Sequence, residues 1–319
     1  MWSIQRILVP IDFDDASELA LDFESMELPP QVKRHEAAIP RLGVWVPWAD
    51  TDSIGWIRYT LDQEKIPYTY LRDEEIRSGN LKKIVDVIVY GNVLMDLPGQ
   101  IHGIERKDGA MPFRKSPATP HLGSPVESDD ITGGIGWNGL QNLQQFVDEG
   151  GVFITLGRGS TLVLESGFVR NVRRADVSHV STPGAELRVK FTRPDHPIAY
   201  GYPTITSAFR SNYRIYDPPK RWLTMAYCTS CLDGPYDMNP VILQWGVRAF
   251  QDETKQQAEP IIASGGGRNA EELEGRPAIL DTPLGKGHVI VFNFNPMHRD
   301  LNHSDYRFLW NAILNWTAL

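Results

Sequence analysis

From Arg41 onward, short apolar runs alternate with stretches of helical periodicity, and this alternation limits the possible folds more than any other feature. RLGVWV (41–46) reads as a buried strand. In SIGWIRYTLDQEK (53–65), Ile54, Ile57 and Leu61 fall on one helical face. PYTYL (67–71) is a second strand and VDVIVY (85–90) a third. GLQNLQQFVDEGG (139–151) gives a helix with Leu140, Leu143, Phe146 and Val147 inward, ended by a glycine cap. GVFITLGRGSTLVLE (151–165) then reads as a buried strand turning sharply into a helix. This order implies a mostly parallel sheet covered on both faces, with right-handed crossovers.

Other segments are less regular. Gly91 to Gly133 is rich in Pro and Gly and too long for a simple connection, so it is a functional loop or a surface excursion. From about 167 to 267, ELRVKF, YRIYD, WLTMAYC and PVILQW are short strands separated by Pro, Gly and Asp. They predict an antiparallel, β-rich insertion on the main sheet. RPAILDTPLGKGHVIVFNF reads as a hairpin around Gly285, Lys286 and Gly287. A last helix from about Ser304 is expected to bury Tyr306, Leu309, Trp310, Ile313 and Leu314. Residues 1–40 read as a separate arm and connector, and 41–319 as the α/β domain carrying the insertion.

Hydrophobic residues make up 41% of the chain, enough for a sizeable core. The net charge of −8 argues against nucleic acid, which needs clustered Lys and Arg. No run of about 18 apolar residues suggests a membrane span. The opening MWSIQRILVPIDFDD meets acid too soon for a secretory signal, so the chain as written is expected in the cytoplasm, or in the periplasm or outside if it belongs to a longer precursor. Cys228 and Cys231, spaced as CTSC in a Gly- and Pro-containing loop, read as reduced structural thiols, with a redox or metal pair as the alternatives. No cofactor or metal is expected. The expected partners are a small ligand or another protein, and a homo-oligomer is compatible.

In parallel sheets, ligands sit beyond the carboxyl ends of the strands. That rule selects Trp45–Asp50, Gly91–Asn92, Gly157–Ser160 and Asn293–Arg299. Within them, Trp48, Arg158, Gly159 and Arg299 are the ligand-binding candidates. Trp48 belongs to an aromatic run with Trp45, Trp56 and Tyr59, which reads either as core or as a stacking wall. Arg158 either meets an anion at the strand ends or pairs with Glu165.

Together, RLGVWVPW, DSIGWIRYTLDQEKIPYTYL, VDVIVY, the Pro194–Pro203 stretch and LGKGHVIVFNFNPMHR resemble one arrangement over about residues 22–319. It is the C-terminal, class I glutamine amidotransferase-like domain of bacterial zinc-carboxypeptidase-like proteins. The resemblance implies a flavodoxin-like three-layer sandwich and does not bring the peptidase, whose zinc site lies in an upstream domain. The one HxxE, His102 to Glu105, falls in the Pro- and Gly-rich loop and reads as surface. Residues 6–20 separately resemble the opening of universal stress proteins, which would place Asp12 near a nucleotide, but the phosphate-binding glycine motif is missing.

Class I amidotransferases carry a Cys at the strand-to-helix elbow, with His and Glu from a later strand end. The elbow here is LGRGST, so the thiolate that attacks glutamine is absent. The expected function is a degenerate, non-catalytic module. The alternative is an amide or ester hydrolase with Ser160 as nucleophile and His298 as base, the latter oriented by Asp300 or His303, with Gly159 and Ser160 N–H groups holding an oxyanion. Ser160 reads equally well as a helix N-cap, and His298 as a structural residue bonded to a loop carbonyl or to Asp300.

Overall fold

Three of the parallel strands are buried at every residue: β1 (Leu42–Trp45), β3 (Val87–Tyr90) and β4 (Val152–Leu156). Such strands need cover on both faces. The structure, a computed structural model, describes residue 35 and residues 38–170, 172–218, 239–253 and 259–319. Asp12, Cys228, Cys231, the expected strand WLTMAYC and nearly all of the expected 1–40 arm lie outside the described residues.

β1 pairs in parallel with both β2 (Thr69–Leu71) and β3, β3 pairs with β4, and β4 pairs with β12 (Gly287–Phe292), all parallel. The spatial order β2-β1-β3-β4-β12 is the flavodoxin-like order of a doubly wound α/β sheet. Helix α1 (Asp52–Gln63) joins β1 to β2, while α2 (Asp73–Ser78) and α3 (Leu81–Ile84) join β2 to β3 in the opposite direction along the sheet. Right-handed crossovers therefore put α1 on one face and α2 and α3 on the other, giving three layers. Helix α5 (Gly136–Asp148) packs against α2, α3, β4 and β12 on that second face. Burying Ile54, Ile57 and Leu61 of α1 contributes about 2 kcal/mol for each side chain.

Beyond β12 the sheet turns antiparallel. β11 (Pro277–Leu284) forms the hairpin with β12, and β9 (Val241–Trp245), β6 (Ala185–Phe191) and β10 (Ile262–Gly265) follow in that order. β7 (Ile205–Arg210) also pairs with β6, and β5 (Arg173–Arg174) with β8 (Tyr216–Asp217) forms a separate short ribbon. Along β6 buried and half-buried residues alternate strictly, the period-2 mark of a sheet with unequal faces. Two more helices complete the elements used below, α4 (Leu97–His102) and α6 (Thr161–Glu165). The last helix, α7 (His303–Leu314), buries Tyr306, Leu309, Trp310 and Ile313, but Leu314 is 37% exposed, because the helix ends there and its last turn reaches solvent. Among the described residues, no helix is long and apolar enough to cross a membrane.

Candidate functional site

The carboxyl edge of the parallel strands divides into two regions, one closed and one open. At the closed region, β4 ends at Leu156 and the chain turns through Gly157, whose φ is +56°. In a nucleophile elbow the residue forced into this conformation directly after the strand presents the reactive atom. Here that residue has no side chain. A Cβ on Gly157 would stand 2.6 Å from Asn92 Oδ1 and 3.0 Å from the Tyr213 ring. Ser160, the nucleophile of the alternative hydrolase reading, lies three positions later, at the end of a 3-10 turn over Gly157–Ser160.

Ser160 is 0% exposed. Its hydroxyl donates to the Phe292 carbonyl at 3.0 Å and accepts from Thr155 Oγ1 at 3.1 Å. It makes no capping bond to α6, so the N-cap reading also falls. The hydroxyl is engaged instead by the carbonyl of Phe292 at the end of β12. Gly159 is buried against the Gly91 carbonyl, where any side chain would collide, and this encloses the turn proposed to hold an oxyanion.

Arg158 is spent on local structure as well. Its N–H donates to Asn92 Oδ1 at 2.9 Å and its Nη1 to the Leu94 carbonyl at 2.8 Å. The expected pairing with Glu165 is replaced, since Glu165 meets Arg214 and the Tyr216 hydroxyl. Asn293, just past β12, donates through Nδ2 to the Arg214 carbonyl at 2.9 Å. Segment 211–217 of the β-rich region thus covers the elbow, with the Tyr213 ring over Gly157. Burial pushes the Tyr213 phenol up to about 12. No motif in the sequence announced this plug, because it comes from a loop more than fifty residues away.

His298 is half-buried and stacks on Phe209, with ring centroids 4.8 Å apart. Burial, then the adjacent Arg299 charge, hold its imidazole below the ordinary value. Neither expected orienting contact forms: Asp300 accepts from the Tyr306 hydroxyl at 2.6 Å and pairs with His303 at 3.3 Å. Among the described residues no hydrogen bond joins His298 to Ser160. Arg299 is exposed, and Arg299 and Asp300 both have positive φ, 54° and 56°, a costly conformation for residues with a Cβ.

The open region lies at the ends of β1 and β2. A cavity of about 390 Å³ is lined by Trp48, Tyr70, Arg72, Glu75 and the 126–130 segment, with Glu74 and Arg77 at its sides. Arg72 directly follows β2 and is only 6% exposed. Its guanidinium stacks on Trp48 at 3.8 Å and on Tyr70 at 4.6 Å. One hydrogen bond holds it, from Nη1 to the Val46 carbonyl at 3.0 Å, and Nε is buried with no partner. Burial pulls Arg72 below its ordinary value. Trp48 Nε1 donates to Glu74 Oε2 at 2.9 Å, and Ser128 Oγ donates to Glu74 Oε1 at 2.5 Å, tying the 126–130 segment to α2. Beneath the cavity, Trp45 stacks on Tyr90 at 4.0 Å and donates to Asp73 at 3.0 Å, so Trp45 is core rather than wall. Burial pushes the Asp73 carboxyl up, against the hydrogen bonds from Trp45 and the Trp48 N–H.

Trp48, expected among the ligand-binding candidates, lines this cavity, and so do Tyr70 and Arg72, which the sequence reading did not single out. The signal was available: YLRDEE places an arginine at the end of β2, and the strand-end rule, extended to that strand, selects it.

No protein-family model and no curated protein matches this chain. Solved structures are similar in overall path. PurLQS from Thermotoga maritima shares 10% identity at a TM-score of 0.47, over 88% of this chain and 100% of that one. A GMP synthase protein from Thermoplasma acidophilum shares 8% at 0.45, over 88% and 94%. A ThuA-like protein from Parabacteroides merdae ATCC 43184 shares 8% at 0.45, over 86% and 88%.

The remaining candidates have structural surroundings. His102 meets the edge of Trp137 with ring centroids 6.0 Å apart, and Glu105 pairs with Lys107 at 3.4 Å. No group of three or more His, Cys, Asp or Glu side chains able to hold a metal occurs among the described residues. His196 is buried and bonds through Nε2 to Asp281 Oδ2 at 3.1 Å, while the other carboxylate oxygen meets His288 Nδ1 at 2.7 Å. Ile198 N–H donates to His196 Nδ1, which assigns the imidazole proton to Nε2. Burial pushes Asp281 up, but the bonds from both histidines outweigh it and hold the carboxyl below its ordinary value. This cluster sits at the amino end of β12, away from the carboxyl edge.

Proposed function

We propose that the chain is a non-catalytic, class I glutamine amidotransferase-like module that binds a small ligand in the Trp48–Arg72 cavity. The observation that carries this reading is Gly157: the one backbone position shaped to present a nucleophile has no side chain, and Asn92 and Tyr213 occupy the space where one would stand. The buried, bonded hydroxyl of Ser160 supports it. The flavodoxin-like strand order adds the expectation that binding happens at the strand carboxyl ends, and there the ends of β1 and β2 remain accessible.

Two measurements test it. Incubation with a fluorophosphonate probe and intact-mass analysis is expected to leave Ser160 unlabelled. A crystallographic fragment screen of the full chain is expected to give hits against Trp48 and Arg72. A Ser160 adduct formed by folded protein would favour the hydrolase reading instead, and hits confined to the Gly157–Ser160 turn would count equally against the proposal.

A further inference from the structure

We infer that the cavity ligand is a small zwitterion, an amino carboxylate whose carboxylate meets the Arg72 edge and whose ammonium group faces Glu75 and Glu127. The inference rests on the ligand-binding reading above and adds the chemistry of the ligand.

It follows from which charges around the cavity are already committed. Asp129 pairs with Arg114 and Asp130 with Arg106. Both oxygens of Glu74 accept from Trp48 or Ser128. Arg77 is used by the carbonyls of Gly134, at 2.6 Å, and Thr132, at 3.3 Å. Of the five charged groups of the lining outside any ion pair among the described residues, Glu74 and Arg77 make two or more side-chain hydrogen bonds, whereas Arg72, Glu75 and Glu127 make one each. Glu75 and Glu127 each give one oxygen to a backbone N–H, those of Arg72 and Lys115.

Arg72 has an unusual set of partners. A nearly buried guanidinium normally finds a carboxylate, since leaving the charge uncompensated is costly. Here, among the described residues, its stacking and hydrogen-bonding partners are two rings and one carbonyl, Nε is unpaired, and the neighbouring Asp73 and Glu74 carboxylates act on it only through space. With Trp48 and Tyr70 stacked against it, the guanidinium can offer only its N–H edge, which suits a planar carboxylate in a bidentate approach. A simple anion there would also meet the field of Glu75 and Glu127, and a simple cation would meet Arg72. A ligand carrying both charges satisfies the two ends together.

Isothermal titration calorimetry of the full chain tests this with glycine, β-alanine and 4-aminobutyrate against acetate and methylammonium. At least one amino carboxylate is expected to bind ten-fold or more tightly than either single-charge probe. Arg72→Gln should abolish that binding with the near-UV circular dichroism unchanged. Because Arg72 is buried, Glu127→Gln on the exposed rim gives an independent arm: it should weaken the amino carboxylate at least three-fold while tightening acetate. Acetate binding as tightly as every amino carboxylate, or Glu127→Gln leaving all affinities unchanged, would overturn the inference. If no amino carboxylate binds although fragments still occupy the cavity, this inference fails and the ligand-binding reading stands; an empty cavity in both experiments removes both.

Discussion

Ser160 is bonded to Phe292: its hydroxyl donates to that residue's carbonyl across 3.0 Å, linking the α6 turn to the end of β12. The bond satisfies a buried acceptor at the strand end, a structural task that a solvent-facing nucleophile could not perform. Ser160→Ala is expected to cost about 1–2 kcal/mol of stability through the loss of a buried hydrogen bond. Urea unfolding measures it. Ligand binding in the Trp48–Arg72 cavity should be unchanged, since that cavity lies at the ends of other strands.

Gly157 is the second test of the closed elbow. Gly157→Ala forces a Cβ into a left-handed backbone at 2.6 Å from Asn92 Oδ1. Loss of about 2 kcal/mol or more is expected from conformation and collision together. A neutral substitution, read by the same unfolding curve, would mean that segment 211–217 is not seated on the elbow.

Asp281 holds two histidines from separate elements, so it ties the His196 turn to β12. Asp281→Ala leaves His196 Nε2–H buried without an acceptor and should cost about 3 kcal/mol. Because the folded carboxyl titrates below its ordinary value, its contribution is present above about pH 4 and is lost as the pH falls through the lower folded value. Acid unfolding of Asp281→Ala should consequently be shallower than that of the unaltered chain.

Asp305 has the opposite sign. Burial, opposed by the Phe209 N–H and Asn302, pushes its carboxyl up to about 7. The folded state therefore keeps the proton longer than the unfolded chain, whose value is about 4. The stability it contributes is full below about pH 4 and drains away as the pH rises through 7. Asp305→Asn, neutral throughout, should be the more stable protein at pH 8 by roughly 4 kcal/mol and close to equal at pH 4. Paired urea titrations at the two pH values check it.

The strands, their buried faces and the three-layer arrangement were legible because they depend on local periodicity. RLGVWV, VDVIVY and GVFITL are too apolar to face water on either side, and the alternation with helical segments leaves little choice of topology. The strand-end rule also selects Trp48, which lines the cavity. It did not assign the elbow correctly, because spacing along LGRGST cannot tell which residue has positive φ. A serine in that motif reads as a nucleophile or a cap until its partner is known, and the partner, Phe292, is 132 residues away.

The chain's own order of apolar and helical segments determined the layered sheet and the edge at which a ligand can meet it. Tertiary structure alone decided which part of that edge stays open. Tyr213 arrives from the β-rich region to cover Gly157 and Arg214 to meet Asn293 and Glu165, while Trp48, Tyr70 and Arg72 converge with the 126–130 segment around a cavity. Local sequence fixes each residue's own backbone preference and polarity. It does not carry the distances between segments, and those distances decide which hydroxyls are consumed and which charges are left unpaired.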